Sequence, residues 1–348
     1  MRVLVIGAGA SVAEAIRLDI VDDFRPPVVS NFTSKLWKEF NPHPVLDMFL
    51  ESMGYEVLDR DGRELFYELE RDGKTDVEQF FAFAWRHRRK NWAPRQSSDP
   101  MDPSALPKDY IHGFAITSDA KNTVTFGAGK PLLSWENLIY HGIGNPLQFL
   151  LLQGFHVNGK GWKPLTVSQE VGAKLRPGDV VVSLNYDPLF EIGLNQAGLA
   201  FQYAVRDFSR GTVCVCKPHG TLNMAISEDG TKAAFGNPEH LAAPPPTGWR
   251  SFLGIIPPRF EKVYEEHPLA NSIVSTLMDI EPSIVTYWGV GLTTSDVDLL
   301  DLYRAWTRKM DTVEVLNPDK TIAEKYRSAL GVNVRHFSTH EPWLAQDD

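Results

Sequence analysis

Five short segments of the chain collect residue types that bind and transform small polar molecules. They are GAGAS (7–11), SLNYD (183–187), KPHGT (217–221), GVGLTTSD (289–296) and LNPD (316–319). His219 is a candidate acid–base group, because an imidazole accepts a proton near neutral pH. Asn185 is a different kind of candidate. Its amide carbonyl orients a water but is too weak a base to deprotonate it. An asparagine–histidine pair suits a reaction in which a held water attacks a centre gaining positive charge and the leaving group departs as a neutral base. Asp187, two residues after Asn185, adds a carboxylate to the same segment. Each residue also has a plainer role open to it. Asn185 and Asp187 are types that close Asx turns after a strand, and His219 is a type that sits satisfied in a core.

In GAGAS, Gly7 permits a tight turn and Gly9 lets the backbone approach a phosphate. The helix that follows aims its free N–H groups at that anion. The full dinucleotide fingerprint GxGxxG is absent, because Val12 stands where its third glycine belongs. No clear second strand ending in an acidic residue follows about 20 residues later, which counts against hydride transfer. Glycines that serve only the turn are the plain alternative.

These segments need elements to position them. RVLVI (2–6), VVVSL (180–184), VCVCK (213–217), SIVTYW (283–288) and TVEVL (312–316) are short, apolar and rich in β-branched residues, the pattern of buried parallel strands. Helical stretches separate them, including PLFEIGLNQAG (188–198), one over about 267–280 and one from Asp296 onward. The expected fold is α/β, a Rossmann-like doubly wound parallel sheet, with the candidate residues at the carboxyl ends of its strands. Residues 1–35 and 176–348 are assigned to the sheet domain. Residues 36–175 show no strand–helix rhythm and are expected to form a large, mostly helical insertion lobe.

The five segments, in this order, resemble the sirtuin-like family. The match is to its bacterial zinc-free branch, whose members act as NAD⁺ hydrolases in antiviral defence. It covers about half the chain, and its most specific element is SLNYD with a His-Gly beginning 34 residues after the asparagine. The resemblance implies that Asn185 positions the nicotinamide ribose and the attacking water, that His219 lies beside the ribose hydroxyls, and that Asp187 is the acid of the motif. It assigns Gly7, Ala8, Gly9 and Ser11 to the phosphate loop. Gly289, Gly291, Thr293 and Thr294 fall where the family holds phosphates or the adenine-side ribose, and Asn317 near the adenosine end. Arg25, in a loop that replaces the family's turn motif, is within reach of a phosphate. The implied activity is cleavage of NAD⁺ to nicotinamide and ADP-ribose by a triggered antiphage effector. A protein deacylase, an ADP-ribosyltransferase and a non-catalytic nucleotide sensor are the alternatives.

Composition narrows the partners. A formal charge of −9 disfavours direct binding to nucleic acid, although Arg86–Lys90 is a short basic run. No apolar stretch approaches a membrane span, and the N-terminus enters a strand at once, so a cytoplasmic protein is expected. The only two cysteines, Cys214 and Cys216, alternate on one strand. That arrangement suits neither a disulfide nor a four-ligand zinc site, so no metal is expected. A homo-oligomer, a separate activating protein or both are the expected partners.

Overall fold

The computed structural model describes residues 1–38, 45–57, 61–87, 116–118, 124–126, 138–158, 160–206, 208–227, 233–241, 249–251, 255–259, 262–264, 267–292 and 296–346. At its centre is a seven-stranded sheet in which every neighbouring pair runs parallel. Its strands in chain order are β1 (Arg2–Ile6), β2 (Val180–Ser183), β3 (Phe201–Tyr203), β4 (Val213–Cys216), β5 (Ile284–Trp288), β6 (Thr312–Leu316) and β7 (Asn333–Phe337). Across the sheet they stand β7-β6-β5-β1-β2-β4-β3. The chain builds outward from β1 on one side, then returns to lay β5 against the other side of β1. That reversal puts a topological switch point between β1 and β5, the place where open α/β sheets form a ligand crevice.

The period-2 alternation of the strands sorts their side chains onto two covered faces. Leu4, Ile6 and Val181 pack with Ala10 of helix α1 (Ala8–Arg17), Val167 and Val171 of α2 (Thr166–Gly172), and Phe190 and Leu194 of α3 (Leu189–Gln196). Val3, Val5 and Val182 face the other way. They join Ile273 and Leu277 of α4 (Pro268–Met278), Leu302 and Trp306 of α5 (Val297–Thr307), and Tyr326 of α6 (Lys320–Leu330). Each fully buried aliphatic side chain is worth about 1.5–3 kcal/mol. Strands apolar on both faces are therefore what a doubly covered sheet requires. Cys214 and Cys216 lie on this second face as buried free thiols.

The switch point is closed by backbone packing. The Gly9 N–H donates to the Gly289 carbonyl at 3.0 Å, and the Gly7 N–H to the Trp288 carbonyl at 3.0 Å. A Cβ on Gly7 would stand 2.6 Å from the Gly289 oxygen, and one on Gly9 2.8 Å from the Gly289 Cα. Gly289 itself has φ +62°, and its Cβ would lie 2.3 Å from the Ala10 nitrogen. Both the left-handed backbone and the contact demand glycine there. Gly289→Ala is therefore expected to cost about 2–4 kcal/mol, from overpacking plus strain. Chemical denaturation of the two proteins checks this. An unchanged midpoint would mean that the two turns do not meet.

A second compact unit comprises Val29–Pro146 with Pro257–Phe260, and the sheet unit takes in the rest of the chain. The second unit's described helices include Val45–Ser52, Gly62–Arg71 and Val77–His87. Their apolar stripes meet in an aromatic core, where Trp37 lies 4.9 Å from Phe80 and 5.4 Å from Phe66 between ring centres. Within the sheet unit, Met224–Ser227, Ala233–Phe235 and Trp249–Ser251 form a small antiparallel sheet. Among the described residues, no helix is long and apolar enough to cross a membrane.

Candidate functional site

The carboxyl ends of β1 and β2 are adjacent because the strands pair in register from Val3–Val180 to Ile6–Ser183. That register carries Asn185 to the start of α1. Its Nδ2 donates to the Gly7 carbonyl at 3.1 Å and to Ser11 Oγ at 3.0 Å. A carbonyl can only accept, so the Gly7 contact fixes which end of the amide is nitrogen. Both amide hydrogens are thereby used. Among the described residues Asn185 Oδ1 accepts nothing, and the residue is 7% exposed. The result is an oriented acceptor whose direction is set by two groups more than 170 residues away in sequence.

Ser11 passes the chain of hydrogen bonds on. Its hydroxyl donates to the Asp187 carboxylate, 2.9 Å from Oδ1 and 3.0 Å from Oδ2. Asp187 Oδ1 also accepts from the Leu189 N–H at 3.2 Å, which is the Asx-type turn open to this residue. Asn185 makes no such turn. Burial pushes the Asp187 carboxyl above the usual carboxylate range, while Lys217 and these hydrogen bonds pull it back.

Lys217 lies beneath this group, 1% exposed. Its Nζ donates to Ser183 Oγ at 2.9 Å and to the Asp187 carbonyl at 3.1 Å. It also stands 2.9 Å from Glu191 Oε1. That ion pair is made without a well-aligned hydrogen bond, since neither Glu191 oxygen has one. A fully buried lysine needs such a counter-ion, and its stem spans from the end of β4 to the start of α3. The Leu222 N–H (2.8 Å) and Thr221 Oγ1 (3.1 Å) both donate to the Tyr186 carbonyl. SLNYD and KPHGT are thus tied together as one polar layer.

His219 centres the second cluster. Its Nε2 is 2.7 Å from Tyr264 Oη and 2.8 Å from Asp296 Oδ2. The same Asp296 oxygen receives Lys262 Nζ at 3.3 Å and Tyr264 Oη at 3.1 Å. All four side chains are buried. Burial lowers the His219 pKa, with Lys262 adding to the effect and Asp296 opposing it. Burial disfavours the Asp296 charge, yet Lys262 and His219 together hold that carboxyl well below the usual range. The outcome is a histidine kept neutral beside a carboxylate kept ionised.

The remaining sequence candidates are placed less centrally. Gly7, Ala8, Gly9 and Ser11 form the start of α1, but the Gly9 N–H is spent on Gly289 and the Ser11 hydroxyl on Asp187. Arg25 serves its own loop, with Nε donating to the Ile20 carbonyl at 2.8 Å and the guanidinium 3.6 Å from Asp22. Asn317 turns its Oδ1 onto the Asp319 N–H at 3.0 Å. Gly291 is exposed, with open space where a Cβ would be. Thr293 and Thr294 lie outside the described residues.

Sequence reasoning assigned no role to four of the buried groups, Lys217, Glu191, Lys262 and Tyr264, and only a capping role to Asp296. Two left a signal. Lys217 directly follows the fully apolar VCVC run, and Glu191 interrupts an apolar stretch, LFEIGL, so each is a charge that must be buried with a partner. From sequence, Ser295 or Asp296 caps the helix that follows; in the structure Asp296 takes the N-cap position, but its side chain makes no capping hydrogen bond. Chemically, the site combines a fixed amide acceptor, a neutral imidazole and an ionised carboxylate at the carboxyl ends of β2 and β4 and ahead of α5. No protein-family model and no curated protein matches the chain.

Proposed function

We propose that the chain is an NAD⁺ glycohydrolase that releases nicotinamide and ADP-ribose. The observation that carries this reading is the locked amide of Asn185, whose only unengaged group is an acceptor at the carboxyl end of a parallel strand beside the glycine turn. Breaking the bond between the ribose C1′ and the nicotinamide nitrogen sends the electron pair to nicotinamide, which leaves neutral. Positive charge grows on the ribose as the bond stretches. A fixed carbonyl dipole favours that charge and holds the attacking water on it. The water oxygen bonds to C1′, and its proton passes to a base, the role assigned to His219. Burial keeps His219 neutral and so able to accept. The start of α1 and the turn at Gly289–Gly291 are assigned to the pyrophosphate and adenosine end. In the setting that the resemblance implies, cleavage awaits an activating partner or infection signal.

Ligand binding tests this reading before any turnover is measured. A molecule that binds the folded state raises its melting temperature by mass action. ADP-ribose at one hundred times its Kd is expected to add about 2.7 kcal/mol to the folding free energy. Absence of any shift with millimolar NAD⁺ and ADP-ribose would remove the reading.

A further inference from the structure

We propose that Lys217 is the positioning residue of Asn185: its buried ammonium clamps the SLNYD turn at both ends, and Glu191 keeps that ammonium in place. The catalytic consequence rests on the functional reading above. The clamp is a property of the free protein.

Lys217 Nζ donates to Ser183 Oγ at 2.9 Å and to the Asp187 carbonyl at 3.1 Å. Those residues stand two before and two after Asn185, so one ammonium fixes the span of the turn that carries the amide. Its third contact, 2.9 Å to Glu191 Oε1, lies in the first turn of α3. The end of β2, the end of the turn and the start of the helix thus share one cation. From Asp187 the link continues to the amide itself. The Asp187 carboxylate takes the Ser11 hydrogen, and the Ser11 oxygen accepts from Asn185 Nδ2. Ser11 has a single hydrogen, and giving it to Asp187 leaves only lone pairs to face the amide nitrogen. Lys217 also opposes the effect of burial on that carboxyl, which favours the charged form that Ser11 needs.

Stability alone does not account for the ion pair. Both side chains are fully buried, and neither Glu191 oxygen has a hydrogen-bond partner. A carboxylate kept for stability would have both oxygens met, since leaving them unmet in the interior is costly. The neighbours along the chain are apolar and buried: Cys216 before the lysine, Phe190 and Ile192 around the glutamate. Apolar residues at both positions would fill that layer, and such replacements of buried pairs are often neutral or stabilising. What they would not supply is the donor that holds Ser183 and Asp187.

The test uses the full chain. Lys217→Met alone strands the Glu191 charge, so the decisive protein is the double variant Lys217→Met with Glu191→Leu, which removes both charges. Hydrogen exchange of the Asn185 side-chain amide is followed by NMR, beside a melting curve, NAD⁺ affinity and turnover. In the wild type both amide hydrogens are bonded and should exchange slowly. In the folded double variant that exchange should speed up about ten-fold or more, with the backbone amides of β1 and β2 still protected. The kcat should fall about 10²-fold while NAD⁺ affinity changes only a few-fold. An unchanged Asn185 amide in a folded double variant overturns the proposal, whatever turnover does. So does a double variant that fails to fold, because the pair is then a stability element. Where the wild type cleaves NAD⁺, an unchanged kcat in the folded double variant overturns it equally. Should the wild type leave NAD⁺ intact while the variant's Asn185 amide exchanges faster, the functional reading falls and the positioning role stands.

Discussion

Asn185→Ala is expected to lower NAD⁺ cleavage by about 10²-fold or more in a protein that still folds. Removing one preorganised group aimed at developing charge costs this much in other sites built on the same logic. The variant deletes the amide acceptor itself. It also deletes two donated hydrogen bonds, to the Gly7 carbonyl and to Ser11 Oγ. At about 1 kcal/mol each, the stability loss is about 2 kcal/mol. That is small beside the burial in the two covered faces of the sheet. Ser11 keeps its bond to Asp187, so the start of α1 remains anchored. Near wild-type turnover with a lowered melting temperature would reduce Asn185 to a structural clip between β2 and α1.

His219→Ala separates chemistry from binding. Loss of a proton acceptor is expected to reduce turnover by about 10²–10⁴-fold. NAD⁺ affinity should change far less, because the phosphate and adenosine contacts are assigned to α1 and the Gly289 turn. The pH profile carries the same signature. Burial lowers the His219 pKa below its ordinary value of 6.5, so the wild-type protein should keep its basic form to lower pH than a free histidine does. The acidic limb of kcat should therefore lie below 6.5 and vanish in the residual activity of the variant. The stability consequence has a definite sign. A folded state that resists protonation is favoured above the unfolded pKa, and this histidine's contribution is lost as pH falls below it. Calorimetric NAD⁺ titration and a melting curve on one sample decide the outcome. Joint loss of binding and stability would mark His219 as a core residue.

Much of the architecture was legible in the sequence because the central strands are apolar on both faces. RVLVI, VVVS, VCVC, IVTYW and TVEVL announce themselves without a structure. Phe201–Tyr203 and Asn333–Phe337 do not, and both are edge strands. An edge strand pairs on one side only, and the burial of these two is incomplete, so their sequences need not be uniformly apolar. Ile255–Pro258 is irregular. Its role is to pass the Ile256 carbonyl to Tyr186 Oη at 2.7 Å and its N–H to the His219 carbonyl.

The site was legible in its residues but not in its wiring. Strand-end position was enough to single out Asn185, Asp187 and His219. Which groups orient them depends on contacts across more than 30 residues of sequence, as between Lys217 and Ser183 or Asp296 and His219. The glycines of GAGAS read as a turn and a phosphate approach. Gly7 instead has an extended backbone at φ −120° and is needed for the close contact with Gly289. No local pattern reports a steric demand made by a turn some 280 residues away.

The most direct test of the account is NAD⁺ turnover by the purified chain with no peptide or other acceptor present. The products are followed by chromatography, first as isolated and then with whatever cellular fraction activates it. Nicotinamide and ADP-ribose should appear in equal amounts, and both should form about 10²-fold or more slowly with the Asn185→Ala protein. NAD⁺ that binds but stays intact, or nicotinamide that forms only when an acylated peptide is added, would contradict hydrolysis as the function of this site.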